Sequence, residues 1–429
     1  MRVAVIGGGG AGLVAAWLLE HSAEVTLFEA EDRLGGHMRT IRVDTEKGPV
    51  FAEMGFKHFF EATYPVFRAI HHVLGLSARQ VKATATVVPR PGVALVGPPR
   101  GLGHVLHWLA HPGLALRFWE YWRFLWHAGR PGPDARGGPT LREAALAWGM
   151  KPSHVDDFFL PLVAANWGSP LADIADNPAW EIREVLWGAS APFLELEEGL
   201  AGYVKALRDG MPGVSVHTSM PVQALRREGD AWRLTTAAGE TVADQVVLAT
   251  GAPVAAALLA PVPGFEAVKQ AVGAIRTFET TIAVHRDPSW MPPRRSDWSG
   301  INVFFHPTHP WQTEWSGRRL DVDVFRSWVP PHRQPPPGAV AVHKFHHVVV
   351  RGDQLEAARQ IAERNGEGGL WLAGMYTRGP DFHESAVGSG LAVAEALDPS
   401  ARRLAALRAV VPPAAWPGPT GRGRAGGRS

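Results

Sequence analysis

The chain has no cysteine in 429 residues. That excludes disulfides, cysteine-ligated metals and thiol redox relays. It also lacks a long apolar run. Val246–Pro263 comes nearest and is broken by Gly251, Pro253 and Pro261, so no segment has the continuity of a membrane-spanning helix. Met1–Gly12 lacks the layout of a secretory leader, because its short apolar run flows straight into a glycine-rich turn, and a cytoplasmic protein is expected. Neither charge sign dominates: the net charge is +2, too little for a nucleic-acid footprint. There is no G-x-S-x-G, no acid pair with hydrolytic spacing and no internal repeat.

What is present is a globular composition, 46% apolar and 20% charged, in a chain long enough for two or three domains' worth of core. The most informative stretch is Met1–Thr40. Arg2–Ile6 reads as a short strand, Gly7, Gly9 and Gly12 form G-x-G-x-x-G, and Leu13–Leu19 reads as a helix. A second strand, Glu24–Phe28, ends at Glu29. Each part has a physical role in dinucleotide binding. Gly7 allows the tight turn, Gly9 lets backbone approach a pyrophosphate, and Gly12 lets helix and strand pack closely. The helix N-terminus offers N–H groups to phosphate, and Glu29 can accept from ribose hydroxyls.

The next run, Glu29-Ala30-Glu31-Asp32-Arg33-Leu34-Gly35-Gly36-His37-Met38-Arg39-Thr40, resembles the E-A-x-x-R-x-G-G-x-x-x-T signature of the FAD-dependent amine oxidase and phytoene desaturase superfamily. His37 stands where amine oxidases usually carry Arg. Phe51–Phe56 resembles the segment that runs under the flavin, and Thr63-Tyr64-Pro65 with Gly75-Leu76 resembles the "Y-P…L-G-L" element. Val214–Leu225, Trp232–Thr236 and Asp244–Gly251 resemble the second FAD-contacting region. Trp371–Gly374 with His383-Glu384-Ser385 resembles the closing strand and helix. His285-Arg286-Asp287-Pro288, Met291-Pro292, Arg294-Arg295 and Trp298 are similar to a bacterial amine-oxidase-like branch of predicted NAD/FAD-binding proteins, as is Gly374-Met375 in place of Gly-Asp. The resemblance implies non-covalent FAD. It places the cofactor against Gly7, Gly9, Gly10, Ala11 and Gly12, then against Glu29, Ala30, Arg33, Gly35, Gly36 and His37. Further contacts fall at Met54, Gly55, Phe56, Val222, Thr250, Gly251, Gly374, Glu384 and Ser385.

The implied fold class is α/β: a Rossmann-like FAD-binding domain of GR2 type with an interleaved α+β substrate domain. The FAD domain is discontinuous, at 1–80, 200–265 and 365–398; the substrate domain takes 81–199 and 266–364. The first insertion reads as helical and tryptophan-rich, with loops at Pro89–Gly103 and Gly129–Pro139. Thr140 with Glu143 reads as a capping box opening a helix over Leu141–Trp148. The second insertion reads as strands at Thr280–His285, Asn302–His306, Asp321–Trp328 and Ala339–Val350. Residues 399–429, rich in Arg, Pro and Gly and free of acid from Ser400 on, read as a disordered basic tail.

Two further segments carry open alternatives. Leu114–Trp126 mixes Phe, Trp and Tyr with Arg117, Glu120 and Arg123 in a narrow polar stripe. It is either a buried helix of the substrate domain or an interfacial helix giving peripheral contact with the inner face of a membrane. His343-Lys344-Phe345-His346-His347 looks like one box of a membrane di-iron desaturase, but the other boxes and the spans are absent, and no metal is expected.

Chemistry should therefore come from the flavin, with the protein supplying position and electrostatics. Lys57 is the candidate beside the ring, polarising it or acting as a base if burial lowers its pKa. His383, at the start of the last helix, is the second candidate. Three readings compete: an FAD-dependent oxidoreductase taking hydride from a fatty-acyl, carotenoid-like or amine compound; a reduced-flavin isomerase or reductase; and a non-catalytic lipid carrier. The expected partner is a hydrophobic or lipid-like small molecule, not nucleic acid. The sequence names no electron acceptor.

Overall fold

The structure is a computed structural model and describes residues 1–127, 138–179, 192–379, 382–418 and 420. Its centre is a five-stranded parallel sheet in the spatial order Leu370–Leu372, Gln245–Leu248, Arg2–Ile6, Glu24–Phe28, Ser215–His217. Strands covered on both faces read as continuous apolar runs, and Val3–Ile6 and Val246–Leu248 are buried throughout. Chain-distant strands are thus zipped in register: Val3 faces Gln245 on one side and Val25 on the other.

The helix Gly10–Leu19 crosses this sheet almost wholly buried and packs against the helix His383–Leu397. Two glycines permit the approach. A Cβ on Gly12 would lie 1.9 Å from the Gly7 carbonyl oxygen, and one on Gly390 would lie 2.2 Å from the Ala11 carbonyl oxygen. Strand, first helix and the helix His383–Leu397 therefore meet at backbone distance, and the glycine loop between the first two is held between them.

A seven-stranded sheet forms the opposite wall. Its order is Ala341–Val348, Thr277–His285, Phe325–Val329, Trp311–Glu314, Ile301–Phe304, Ala85–Arg90, Val93–Gly97. The strand Trp311–Glu314 was not anticipated. The first insertion also departs from its all-helical expectation. Ala85–Arg90 and Val93–Gly97 form a hairpin whose turn and second strand fall in the segment read as the loop Pro89–Gly103, and Ala85–Val88 pairs in parallel with Ile301–Phe304. Val87, Leu95 and Val96 are buried, and this burial outweighs the turn-forming residues Pro89 and Gly92. Most of the second expected loop, Gly129–Pro139, lies outside the described residues.

The helix Leu141–Ala147 opens with the expected capping box. The Thr140 side chain accepts from the Glu143 N–H at 3.2 Å and the Glu143 carboxylate accepts from the Thr140 N–H at 2.8 Å. The tail expectation is corrected for its first half. Arg402–Arg408 is a helix with Leu404 and Leu407 fully buried. Arg403 donates to the carbonyls of Trp17 and Gly210 and pairs with Glu20 at 2.7 Å. Residues 421–429 lie outside the described residues.

Candidate functional site

A single cavity of about 760 Å³ runs from the glycine loop to the seven-stranded sheet. Its first half is lined by Gly7, Gly9, Gly10 and Ala11, by Glu29 and Ala30, and by Gly35, Gly36 and His37. The first turn of the Gly10–Leu19 helix has no side-chain cap, so its N–H groups face this space as an anion site. A Cβ on Gly9 would touch nothing within 4 Å, whereas one on Gly36 would meet the Gly9 Cα at 3.1 Å. The two glycine turns therefore stack backbone on backbone, with open room over Gly9. The Glu29 carboxylate accepts from the N–H of Gly8 at 2.6 Å and of Glu31 at 2.8 Å. Those bonds fix its orientation and leave lone pairs for ribose hydroxyls. Val222, Thr250, Gly251 and Gly374 line the same cavity.

Five expected cofactor contacts do not reach the cavity. Gly12 is consumed by the helix–strand approach described above. Arg33 braces the loop instead of facing phosphate, donating to the carbonyls of Leu34, Gly36 and Met38 at 2.7–3.1 Å. The Met54 side chain is buried in a cluster with Ala52, Ile282 and Trp328. The Glu384 carboxylate caps the helix Pro65–Val73, accepting from the N–H groups of Val66 and Phe67 at 2.8 and 2.9 Å. Ser385 is buried away from the lining.

At the waist of the cavity stand Gly55, Phe56 and His383. A Cβ on Gly55 would lie 2.0 Å from the His37 carbonyl oxygen. The His383 ring stacks on Phe56 at 4.8 Å and meets Phe67 edge-on at 5.0 Å. Burial pushes its imidazole down to about 3, so it is neutral at physiological pH. Among the described residues its Nε2 has no partner, and neither has the Tyr376 hydroxyl on the same cavity. Buried polar atoms left unpaired in an apolar wall mark places where a ligand completes the hydrogen bonding.

Lys57 lines the cavity beside Phe56, but its role as a base is corrected. Its ammonium bonds Glu314 and lies 3.3 Å from Glu195. Burial alone would push it down; the two carboxylates outweigh burial and hold it above its ordinary value. Lys57 is therefore a permanent cation. Burial would likewise raise Glu195, yet a hydrogen bond from His58 at 2.9 Å and the charges of Lys57 and Arg79 hold it well below the usual carboxylate range. Glu314, fully enclosed, is held down by Lys57, His58 and Arg326 against the same burial. Arg326 donates to the carbonyls of Met54 and Gly55 at 3.0–3.1 Å, and its Nη1 lies 3.7 Å from Glu314. Among the described residues, Lys57, His58 and Arg326 face the cavity while the acids stand behind them.

Sequence reading missed Glu195, Glu314 and Arg326. Its available signal was weak: a charge inside the aromatic strand Phe325–Val329, and another ending Trp311–Glu314. Beyond this network the lining turns apolar, with Val87, Phe118, Tyr121, Trp122, Trp167 and Trp328. Among the described residues the cavity wall carries one carboxylate, Glu29, at the dinucleotide end.

Comparison with known proteins fits this geometry. The sequence matches the family described as flavin containing amine oxidoreductase over residues 11–129 and 135–287. Tryptophan 2-monooxygenase of Pantoea agglomerans pv. gypsophilae is 36% identical over 237 residues, 48% of this chain and 39% of that protein. The chain spans well under half the length of the curated relatives it matches. The fatty acid isomerase of P. acnes superposes with a TM-score of 0.67 at 14% identity, covering 91% of this chain and 97% of that one. Putrescine oxidase bound to putrescine superposes with a TM-score of 0.65 at 14% identity, covering 94% and 100%; these two likenesses concern the fold. On the matched residues, the parallel sheet and the glycine cradle together, the chain belongs to the flavin-containing amine oxidoreductase family.

Proposed function

We propose that the chain is an FAD-dependent oxidoreductase that takes a hydride from an apolar substrate carrying a carboxylate. FAD, when bound, supplies a two-electron acceptor. The open space over Gly9, the uncapped helix turn and the unpaired His383 Nε2 and Tyr376 hydroxyl fit that group. Gly9, Gly10, Ala11 and Gly36 would take its phosphates, and Glu29 a ribose. Phe56 and His383 hold the waist rigid by stacking, so a substrate carbon can be positioned without loose side chains. The aromatic wall excludes water from the reacting carbon. His383, neutral, can accept or donate one proton at Nε2.

The observation that carries the substrate reading is the sign of the wall. Past Phe56, Lys57 and Arg326 face the cavity, and no described lining residue there is an acid. Among the described residues Arg326 Nη1 is held by Glu314 at 3.7 Å, beyond hydrogen-bond reach, and Lys57 has a third N–H beyond its two carboxylate partners. A carboxylate placed here meets charge-assisted donors; an ammonium meets two cations. Tryptophan, the compound in the name of the relatives above, combines an apolar ring and a carboxylate with an ammonium on the adjacent carbon, whereas oleate carries the carboxylate alone.

The test is anaerobic mixing of the FAD-loaded protein with L-tryptophan, oleate or putrescine while the flavin absorption band is followed. Bleaching by a carboxylate compound and none by putrescine is expected. Bleaching by putrescine alone would overturn the substrate class. A protein that stays colourless after incubation with FAD would overturn the oxidoreductase reading itself. A substrate isomerised with no net change in mass would move it to the reduced-flavin alternative.

A further inference from the structure

The described residues expose fourteen large hydrophobic side chains, and seven of them sit on two consecutive helices. The helix Leu102–Ala110 has no buried residue at all. Its Leu102, Val105, Leu106 and Leu109 follow the i, i+3, i+4, i+7 spacing of one helical stripe. That stripe faces outward, with Leu102 73% and Leu109 71% exposed. An amphipathic helix of a globular protein normally turns such a stripe to the core. Here the underside is held by Trp108, whose indole N–H donates to the Val96 carbonyl at 3.0 Å and whose ring meets Phe118 edge-on at 5.1 Å.

The next helix, Pro112–His127, continues the surface. Phe118, Tyr121 and Phe124 turn inward onto Phe158 and Phe159. Leu116, Trp119 and Trp122 turn outward. One face of this helix is thus buried in the substrate domain, and the other is an exposed apolar face.

We infer that this two-helix platform docks on an anionic lipid surface. Two observations choose that occupant over a protein, and a third sets the mode of docking. The first is charge. Arg100, Arg117 and Arg123 border the platform, and its one acid, Glu120, is turned in to pair with His154. Arg117 has a distant partner, Asp157 at 4.0 Å; Arg123 lies over the Trp119 ring at 5.2 Å instead of on an acid. Arginine stacked on an exposed tryptophan suits an interface where one side is apolar and the other carries phosphate. The second is continuity. Trp122 is exposed on the platform and also lines the cavity, and Phe118 and Tyr121 beside it line the cavity from within. The apolar face thus runs unbroken into the apolar pocket, as expected if the outer phase holds apolar molecules. The third bears on the mode of docking: no described helix is long and apolar enough to cross a membrane, so the proposal is one of docking at the interface and not of spanning. The docking does not depend on which substrate the cavity takes.

The experiment is co-sedimentation of the FAD-loaded full chain with vesicles of phosphatidylcholine, with and without 30% phosphatidylglycerol by design. The wild type is expected to pellet with the anionic vesicles and less with the neutral ones. The double variant Leu106→Ser/Leu109→Ser touches neither the cavity nor the core. It is expected to keep its flavin spectrum and lose at least about tenfold in vesicle partitioning. Equal partitioning of variant and wild type would overturn the proposal. So would a wild type that ignores both vesicles; if that wild type is also dimeric by light scattering and the double variant monomeric, the face belongs to a second copy of the chain.

Discussion

Replacing Lys57 with methionine discriminates most sharply between a base and a fixed cation. The substitution keeps the length of the side chain and removes the charge shared by Glu314 and Glu195. Breaking a buried ion pair from one side costs about 3–5 kcal/mol, because the partner charge stays buried and uncompensated. Here the cost should fall at the lower end, about 3 kcal/mol. Glu195 keeps His58 at 2.9 Å and Arg79 at 3.1 Å, and Glu314 keeps Arg326 at 3.7 Å. With an unfolding entropy of about 2.1 cal/mol/K per residue, a 429-residue chain loses roughly 1 °C of Tm per kcal/mol, so a drop of about 3 °C is expected.

The pH dependence carries the sign. In the wild type both carboxylates are held below their unfolded values, so their contribution is present above the unfolded carboxylate pKa and fades as pH falls through the depressed folded values. Without Lys57, burial gains weight and lifts Glu314. The penalty of the variant then grows as pH rises above the unfolded value and shrinks as pH falls toward it. Calorimetry at pH 7.5 and 5 should show a gap that narrows at pH 5. The double variant Lys57→Met/Glu314→Leu, which removes both charges, should recover most of the loss. A gap that does not change with pH, or a double variant no better than the single one, would refute the buried-network account.

Two more outcomes follow from the cradle. Gly9→Ala adds a Cβ that would meet no protein atom, so with flavin removed it should melt like flavin-free wild type, yet it should purify with little flavin; full flavin content would show that nothing binds over Gly9. Glu29→Ala removes charge-assisted acceptors worth about 1.5–3 kcal/mol, so FAD should bind roughly 10–100-fold more weakly by fluorescence titration. Unchanged affinity would remove Glu29 from the ribose contact.

The parts of the site legible in the sequence are those whose chemistry is local. Gly7, Gly9, Gly12 and Glu29 lie within one strand–helix–strand unit, and their spacing alone fixes their roles. The illegible parts are made by distant meetings. Lys57 meets a glutamate 138 residues away and another 257 away, and nothing in the local sequence of either announces the pairing. Without those partners, burial argued for a depressed lysine; with them the sign reverses. Arg33 and Glu384 were misplaced for a related reason. A charged group next to a glycine turn or at a helix start can face a ligand or backbone of its own chain, and only packing decides between the two. The turn and second strand of the hairpin Ala85–Gly97 were read as a loop because Pro89 and Gly92 are turn-forming, although Leu95 and Val96 supplied a buried face.

The order of the parallel sheet bears on how the chain is made. Arg2–Ile6 occupies the middle of the sheet, and one neighbour, Gln245–Leu248, is made about 240 residues after it. At roughly 5–20 residues per second, one apolar edge stays open for about 10–50 seconds. Leu370–Leu372, which closes the row beyond that neighbour, arrives later still. Nascent chains stopped anywhere before residue 245 therefore display an unpaired Val-Ala-Val-Ile edge. The cradle over Gly9 rests on this sheet, so it is complete only once Gln245–Leu248 and Leu370–Leu372 have joined the row.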